Sequence, residues 1–169
     1  MTITTTSIIS NNITFTMIDS GSNSQTETAS LNNAQTLTSG SGSLQANYGV
    51  IKSGTLPSGG KEYLDFRALN KTIFNADTTI QFSKIKSIVI ENRSTDYNND
   101  ITVAASGANA LTELFNGGSG NVQVKPYAVY QYSDPISGVT VDATNKDLRI
   151  DDVDGSGVNW RLIVVGVTG

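Results

Sequence analysis

The chain contains no cysteine and no histidine, and only 15% of its 169 residues are charged. Without cysteine there are no disulfides, no thiolate nucleophiles and no cysteine-ligated zinc. Without histidine, the commonest general base and the commonest transition-metal ligand are missing. Carboxylate pairs and Ser–Lys dyads remain open to an enzyme. Most catalytic constellations nonetheless use one of the two absent residues, so the chain reads as non-enzymatic and cofactor-free. No apolar run approaches the roughly 18 residues of a membrane span; the longest covers residues 162–167. The opening residues, Met1-Thr2-Ile3-Thr4-Thr5-Thr6, lack the basic and apolar regions of a secretory signal, which leads us to expect synthesis and assembly in a cytoplasm.

An average soluble domain is about 25% charged, and here Ser, Thr, Asn and Gly take up the difference. Such a surface suits dense packing beside other protein better than long-range steering of ions. The formal charge is −4 and the isoelectric point is near 4.6. The 11 basic residues are scattered, with Lys84 and Lys86 the nearest thing to a cluster. Nucleic acid needs a concentrated basic surface to release counterions, so neither nucleic acid nor membrane is an expected partner.

What is present is a β pattern in two zones. Residues 1–45 are dominated by Thr, Ser and Asn, contain an alternating segment at 13–18, and end in Ser39-Gly40-Ser41-Gly42-Ser43, a flexible hinge by composition. This zone reads as an extended arm carrying one or two strands, or as a partly disordered terminus. Its apolar residues Ile8, Ile9, Ile13 and Phe15 are suited to docking along a neighbour's sheet edge.

Residues 46–169 read as one domain. Strands are expected at 48–51, 63–66, 79–82, 85–91, 101–105, 122–125, 129–132, 139–141, 148–150 and 160–167, with Gly-, Asn- and Asp-rich turns between them. Short helical turns are expected at 65–70 and 108–115. Many short strands of even spacing point to an all-β fold, an antiparallel sandwich of jelly-roll type with the extended N-terminal arm. Trp160 is the expected large core anchor.

Several segments bear on chemistry. The turn Asp151-Asp152-Val153-Asp154-Gly155 resembles part of a calcium loop, with Asp152 and Asp154 as candidate ligands; a full loop also needs a bidentate Glu, and position 161 is Arg. A solvated hairpin turn explains the same residues. Asp96, Asn98, Asn99 and Asp100 form a second oxygen-rich loop, and the two loops would share a cation only if the fold joined them. Glu62, Asp65, Glu91 and Glu113 are the carboxylates available for a glycosidase-type pair, and no pair stands out. Tyr130 and Tyr132 point to one face of their strand, with Tyr127 and Val129 on the other. They form either an exposed contact surface or the rim of the core.

The order Gly40-Ser41-Gly42-Ser43-Leu44-Gln45-Ala46-Asn47-Tyr48 is followed by Ser53-Gly54-Thr55-Leu56-Pro57-Ser58-Gly59-Gly60. The core strand 86–94, the stretch Ile101-Thr102-Val103-Ala104-Ala105-Ser106-Gly107, Phe115-Asn116-Gly117-Gly118-Ser119-Gly120, Val124-Lys125-Pro126-Tyr127 and Asp147-Leu148-Arg149-Ile150 come next. Over residues 40–169 this series resembles small structural proteins of tailed-phage virions, of the capsid decoration (cement) type. The resemblance implies a β-sandwich that binds the major capsid protein at the capsid surface, forms a homotrimer and carries no catalytic residues. A fibre or receptor-binding adhesin recognising a host surface glycan is the alternative, with Tyr130 and Tyr132 among the contact residues.

Overall fold

β-Branched and aromatic residues recurring at every second position favour extended chain with one face buried, and this pattern organises most of the molecule. The computed structural model describes residues 7–19, 25–73, 76–118 and 120–169, with side chains at Ile9, 34–71, 77–118 and 120–169. Among these, regular structure is almost entirely strand, with one 3-10 turn at Thr112–Phe115.

Two antiparallel sheets face each other. One contains β5 (Lys61–Asp65), β9 (Ile101–Ala105), β10 (Asn121–Val124) and β13 (Asp147–Asp152) in the order β10-β9-β13-β5. The other contains β4 (Tyr48–Leu56), β8 (Phe82–Asn92), β11 (Val129–Ser133) and β14 (Val158–Thr168) in the order β11-β8-β14-β4, with β12 (Val139–Thr140) also on β8. Leu64, Val103, Leu148 and Ile150 from the first sheet meet Ile88, Ile90, Leu162 and Val164 from the second in one continuous core. A hairpin of β6 (Leu69–Ile73) and β7 (Ala76–Ile80) adds Leu69 and Ile80 to it. The chain is therefore the all-β, antiparallel sandwich that the strand pattern predicts.

The N-terminal zone forms a third sheet. β1 (Ser7–Asp19) pairs antiparallel with β2 (Gln25–Ser39), and β2 pairs in parallel with the short β3 (Gln45–Ala46).

The differences from the expected elements have local causes. Residues 66–68 make a tight turn between β5 and β6 rather than a helix: Asp65 Oδ1 accepts from the Arg67 amide at 2.7 Å, and the Asp65 carbonyl accepts from the Ala68 amide. The expected strand 79–82 is split between the end of β7 and the start of β8. β4 runs on to Leu56 although Lys52 and Gly54 interrupt its apolar alternation. Gly54 pairs with Trp160, and the indole fills the space that a side chain there would take: a Cβ on Gly54 would lie 2.8 Å from the ring. Trp160 is 2% exposed, and Lys52 lies above its ring while pairing with Glu62 of the facing sheet at 2.8 Å.

A bulge in β8 sets the register of the second sheet. Val165 pairs with Ser87 but Gly166 pairs with Ile85, so Lys86 has no opposite residue. The extra residue reverses the side-chain parity of the strand, which lets Ile85 and Ile88, three apart, both reach the core. Lys86 is 1% exposed, and its Nζ donates to the Ile136 carbonyl at 2.7 Å. Burial holds its ammonium below the ordinary lysine value, with the charge of Lys84 adding to the effect and Asp134 opposing it. The bulge also brings Gly166 so near Lys84 that a Cβ there would be 2.1 Å from the Lys84 carbonyl oxygen. The Lys84 carbonyl and the Ile85 Cα, both backbone of β8, together with the Phe82 ring, leave nowhere for a methyl group to go. Gly166→Ala is expected to destabilise the fold by about 3 kcal/mol and Gly54→Ala by about 2 kcal/mol. Denaturant midpoints of the two variants beside the parent check both values.

Candidate functional site

Three regions gather the residues singled out from the sequence. The first is the arm. Its thirteen paired positions run from Ser7 opposite Leu37 to Asp19 opposite Gln25. At about 3.4 Å per residue this is a ribbon roughly 45 Å long. Among the described residues β1 pairs with β2 alone, so its other edge carries no strand. Such an edge presents a row of amide and carbonyl groups to any further strand.

The base of the arm is fastened to the sandwich. Leu37 is fully buried. Residues 39–43, a hinge by composition, take a hydrogen-bonded turn: the Thr38 amide donates to Leu44 O, the Gly40 amide to Ala46 O, and the Gly42 amide to Gln45 Oε1. From this turn the Leu44 amide reaches Pro135 O at 3.0 Å and the Asn47 amide reaches Gly166 O at 3.1 Å. Ile9 is half-buried and sits opposite Gln35. Ile8, Ile13 and Phe15 belong to β1, and their side chains lie outside the described residues.

The second region is the edge of the sandwich between β10 and β11. The pairing of Tyr130 with Ile90 and of Tyr132 with Ile88 puts both tyrosines on the core side of the second sheet. There they pack against the core rim half-buried. The Tyr130 ring stacks on Phe115, 5.8 Å between centroids and 9° between planes, and its hydroxyl donates to Leu114 O at 2.7 Å. Burial raises the Tyr130 hydroxyl above its ordinary pKa, and Tyr132 adds to this. Burial likewise raises Tyr132, helped by the negative charge of Asp134 and Glu113. The rings line an open cleft of about 450 Å³. Tyr127 stands apart: it is 61% exposed, in the left-handed backbone region after Pro126, and its ring lies 6.2 Å from that of Tyr97.

The third region joins the two oxygen-rich loops, which the fold does bring together. The Asp100 amide donates to Asp154 Oδ2 at 2.7 Å, the Val153 amide to Asp100 O, and Asn99 Nδ2 to Gly157 O. Most of the carboxylate oxygens are already engaged, although among the described residues Asp100 Oδ1 is buried without a partner. Asp152 Oδ2 accepts from the amides of Gly59 and Gly157 at 2.9 and 3.0 Å, and its Oδ1 accepts from Gly155. Asp100 Oδ2 is held by Gln123 Nε2 and Lys125 Nζ. Among the described residues no three such groups converge to hold a metal. The arrangement ties two turns together through backbone amides, with Lys125 supplying the cation. The four carboxylates weighed as a pair are also dispersed. Glu62 meets Lys52, Asp65 meets Lys146, Glu91 meets Arg93 at 3.7 Å, and Glu113 accepts from the Thr140 amide.

Asn92 is the structural residue that the sequence reading missed. It is fully buried at the end of β8, its Nδ2 donating to the carbonyls of Asn99 and Val124 and its Oδ1 accepting from the Ser94 amide. The available signal was its parity: it continues the inward series of Ile88 and Ile90.

No family model and no curated protein matches the chain. Among solved structures the chain is similar to the crystal structure of a Yersinia pseudotuberculosis-derived mitogen, at 14% identity over 70% of this chain and 86% of that one, with a TM-score of 0.38. It is similar to the crystal structure of PirA at 14% identity over 68% of this chain and 92% of that one, again with a TM-score of 0.38. Likeness at this level does not bear on function.

Burial raises the Asp152 carboxyl, but amides from Gly157, Gly59, Gly155 and Asp154 outweigh it and hold the group below its ordinary value of 3.8. Its contribution to stability is thus present above that value and is lost as the pH falls through the lower folded value. Asp152→Ala leaves several turn amides without their acceptor and is expected to cost about 3 kcal/mol at neutral pH. Asp152→Asn is expected to flatten the acid limb of the stability curve, as read from denaturant titrations between pH 2 and 7.

Proposed function

We propose that the protein is a non-enzymatic structural subunit of a virion, of the capsid decoration type, which binds the shell of a major capsid protein and stabilises it. The observation that carries the reading is the arm. A ribbon fastened at one end to a rigid sandwich, with an open strand edge along β1, can add to a sheet of a neighbouring subunit. Main-chain hydrogen bonds then supply affinity over a long, neutral contact. A shell-stabilising protein needs this property, because it must bridge subunits that internal pressure tends to separate.

A second feature supports the same reading. On the outer face of the second sheet Ile51, Ile163 and Val89 lie side by side across β4, β14 and β8. Ile51 is 49% exposed, with Ile163 and Val89 half-buried beside it. Arg161 and Glu91 pair across the next position, giving the row a charged margin. An apolar centre with a polar rim is the usual anatomy of a protein contact. The resemblance of residues 40–169 to capsid decoration proteins supplies the partner, the trimeric state and the capsid surface as the location.

Mixing the purified protein with expanded capsids and sedimenting them is the test. The expected result is a trimer by light scattering that pellets with the shells at a fixed stoichiometry. Removing residues 1–20 takes away β1 but none of the described core residues, which begin at Leu37. The truncated protein is expected to keep its thermal transition and to lose at least ten-fold in shell affinity. Unchanged pelleting after truncation would remove the arm from the reading, and a full-length protein that stays in the supernatant would overturn the reading itself.

A further inference from the structure

The cleft between β10 and β11 has a construction that core packing alone does not require. Two sheets that part at an edge normally close it with apolar side chains. Here the closing wall is aromatic, the margin is amide-rich, and an open space of about 450 Å³ remains. Clefts of ~300–1,000 Å³ with an apolar wall and a few placed polar groups are the usual form of small-molecule sites.

The wall is held in position from behind. Tyr130 is fixed by its stack on Phe115 and by its hydrogen bond to Leu114 O. Phe115 ends the 3-10 turn, and the chain reverses immediately after it through Asn116 in the left-handed region. Gly120 then passes so near that a Cβ on it would lie 2.8 Å from the Phe115 Cβ. Glu113 at the same end is oriented by the Thr140 amide at 3.2 Å. The rings and the carboxylate are thus arranged before any ligand arrives, which lowers the entropic cost of binding.

Other polar groups at the cleft are unengaged. Among the described residues the Tyr132 hydroxyl and the side-chain amides of Asn116 and Asn121 have no hydrogen-bond partner, and both asparagines are exposed. An amide offers donors and an acceptor together, a tyrosine hydroxyl offers both, and a carboxylate accepts. That set complements a ligand whose own groups both donate and accept. The faces of the rings carry negative charge density and attract polarised C–H groups. Glu113 is the one charged residue among the described lining residues, and Asp134 acts on Tyr132 from nearby, so the local field repels anions.

We propose that this cleft binds a neutral hexopyranose unit of a glycan. The apolar C–H face of the sugar rests on the aromatic wall, and its hydroxyls meet Asn116, Asn121, Glu113 and Tyr132. A pyranose combines an apolar ring face with a rim of hydroxyls, which matches the cleft on both sides. Sialic acids and phosphorylated sugars are excluded by the Glu113 and Asp134 charges. This inference stands apart from shell binding: the cleft lies at the β10–β11 edge and uses no residue of the arm.

The test is a calorimetric or ligand-observed NMR titration of the full chain with D-glucose, D-galactose, D-mannose and N-acetylglucosamine, with N-acetylneuraminic acid as the charged control. Saturable binding of at least one neutral sugar is expected, with no binding of the acid. Asn121→Ala and Tyr132→Phe each remove a hydrogen-bonding group while leaving the packing in place. Each is expected to weaken the sugar at least five-fold with the thermal transition unchanged. Asn159→Ala, on the outer face of β14, is expected to change nothing. If no neutral sugar saturates, if the acidic sugar is preferred, or if binding survives both cleft substitutions, the proposal is wrong. None of those outcomes alters the sedimentation result.

Discussion

The pairing of β8 with β14 is the constraint on which the rest of the molecule depends. Nine positions, from Trp160 opposite Asn92 to Thr168 opposite Phe82, join the middle of the chain to its end. Both strands are interior to their sheet, and every other part of that sheet is attached to one of them: β11 and β12 to β8, and β4 to β14. The arm is fastened through the same unit, since the Asn47 amide reaches Gly166 O and Asn47 Oδ1 accepts from the Thr168 amide at 2.8 Å. A non-local contact of this kind makes the loop-closure entropy large before any stabilisation follows. It also explains why Gly166, an inconspicuous residue in an apolar run, has no room for a side chain.

Where that pairing ends, the exposed edges begin, and the functional readings lie on those edges. A closed core leaves little chemistry to offer, and here its apolar centre is unbroken between the sheets. Among the described residues the outer edge of β1 carries no strand, and the β10–β11 edge holds an open cleft. The first depends on main-chain groups and tolerates a Thr-, Ser- and Asn-rich composition. The second depends on a few rigid rings and amides. Natural sheets usually blunt their edges against unwanted pairing, and the long unpaired edge of β1 is what the proposed shell contact rests on.

The acidic loops show how similar residues serve different ends. Asp152 and Asp154 sit in a Gly-rich turn beside Asp100, as a cation site would. Yet the oxygens of Asp152 are taken by backbone amides, and Asp100 is taken by Lys125 and Gln123. The fold uses Asp152 and Asp154 as caps for turn amides, and the Asp100 carboxylate as the partner of Lys125 and Gln123. In a chain with no disulfide such caps help to hold long turns in one conformation.

Much of the secondary structure was legible from the sequence alone. The strand at Ile101–Ala105 coincides with its expectation, and those at 85–91, 129–132 and 160–167 lie within the observed elements, because alternation and turn residues are local properties. Trp160 was legible as a core anchor for the same reason. The strand at 52–56 was not, because Gly54 keeps its place there only by packing against the indole that crosses it from β14. Nor was Lys86 as a buried residue, since a bulge reverses side-chain parity and no local pattern announces it. The tyrosines at 130 and 132 were legible as a pair on one face; which face depended on their register against Ile90 and Ile88. By itself the sequence determined an all-β chain with a polar arm and no cysteine or histidine chemistry. Only the tertiary structure decided which edges stay open and which carboxylates are already occupied, because those are set by residues far apart in the chain meeting in space.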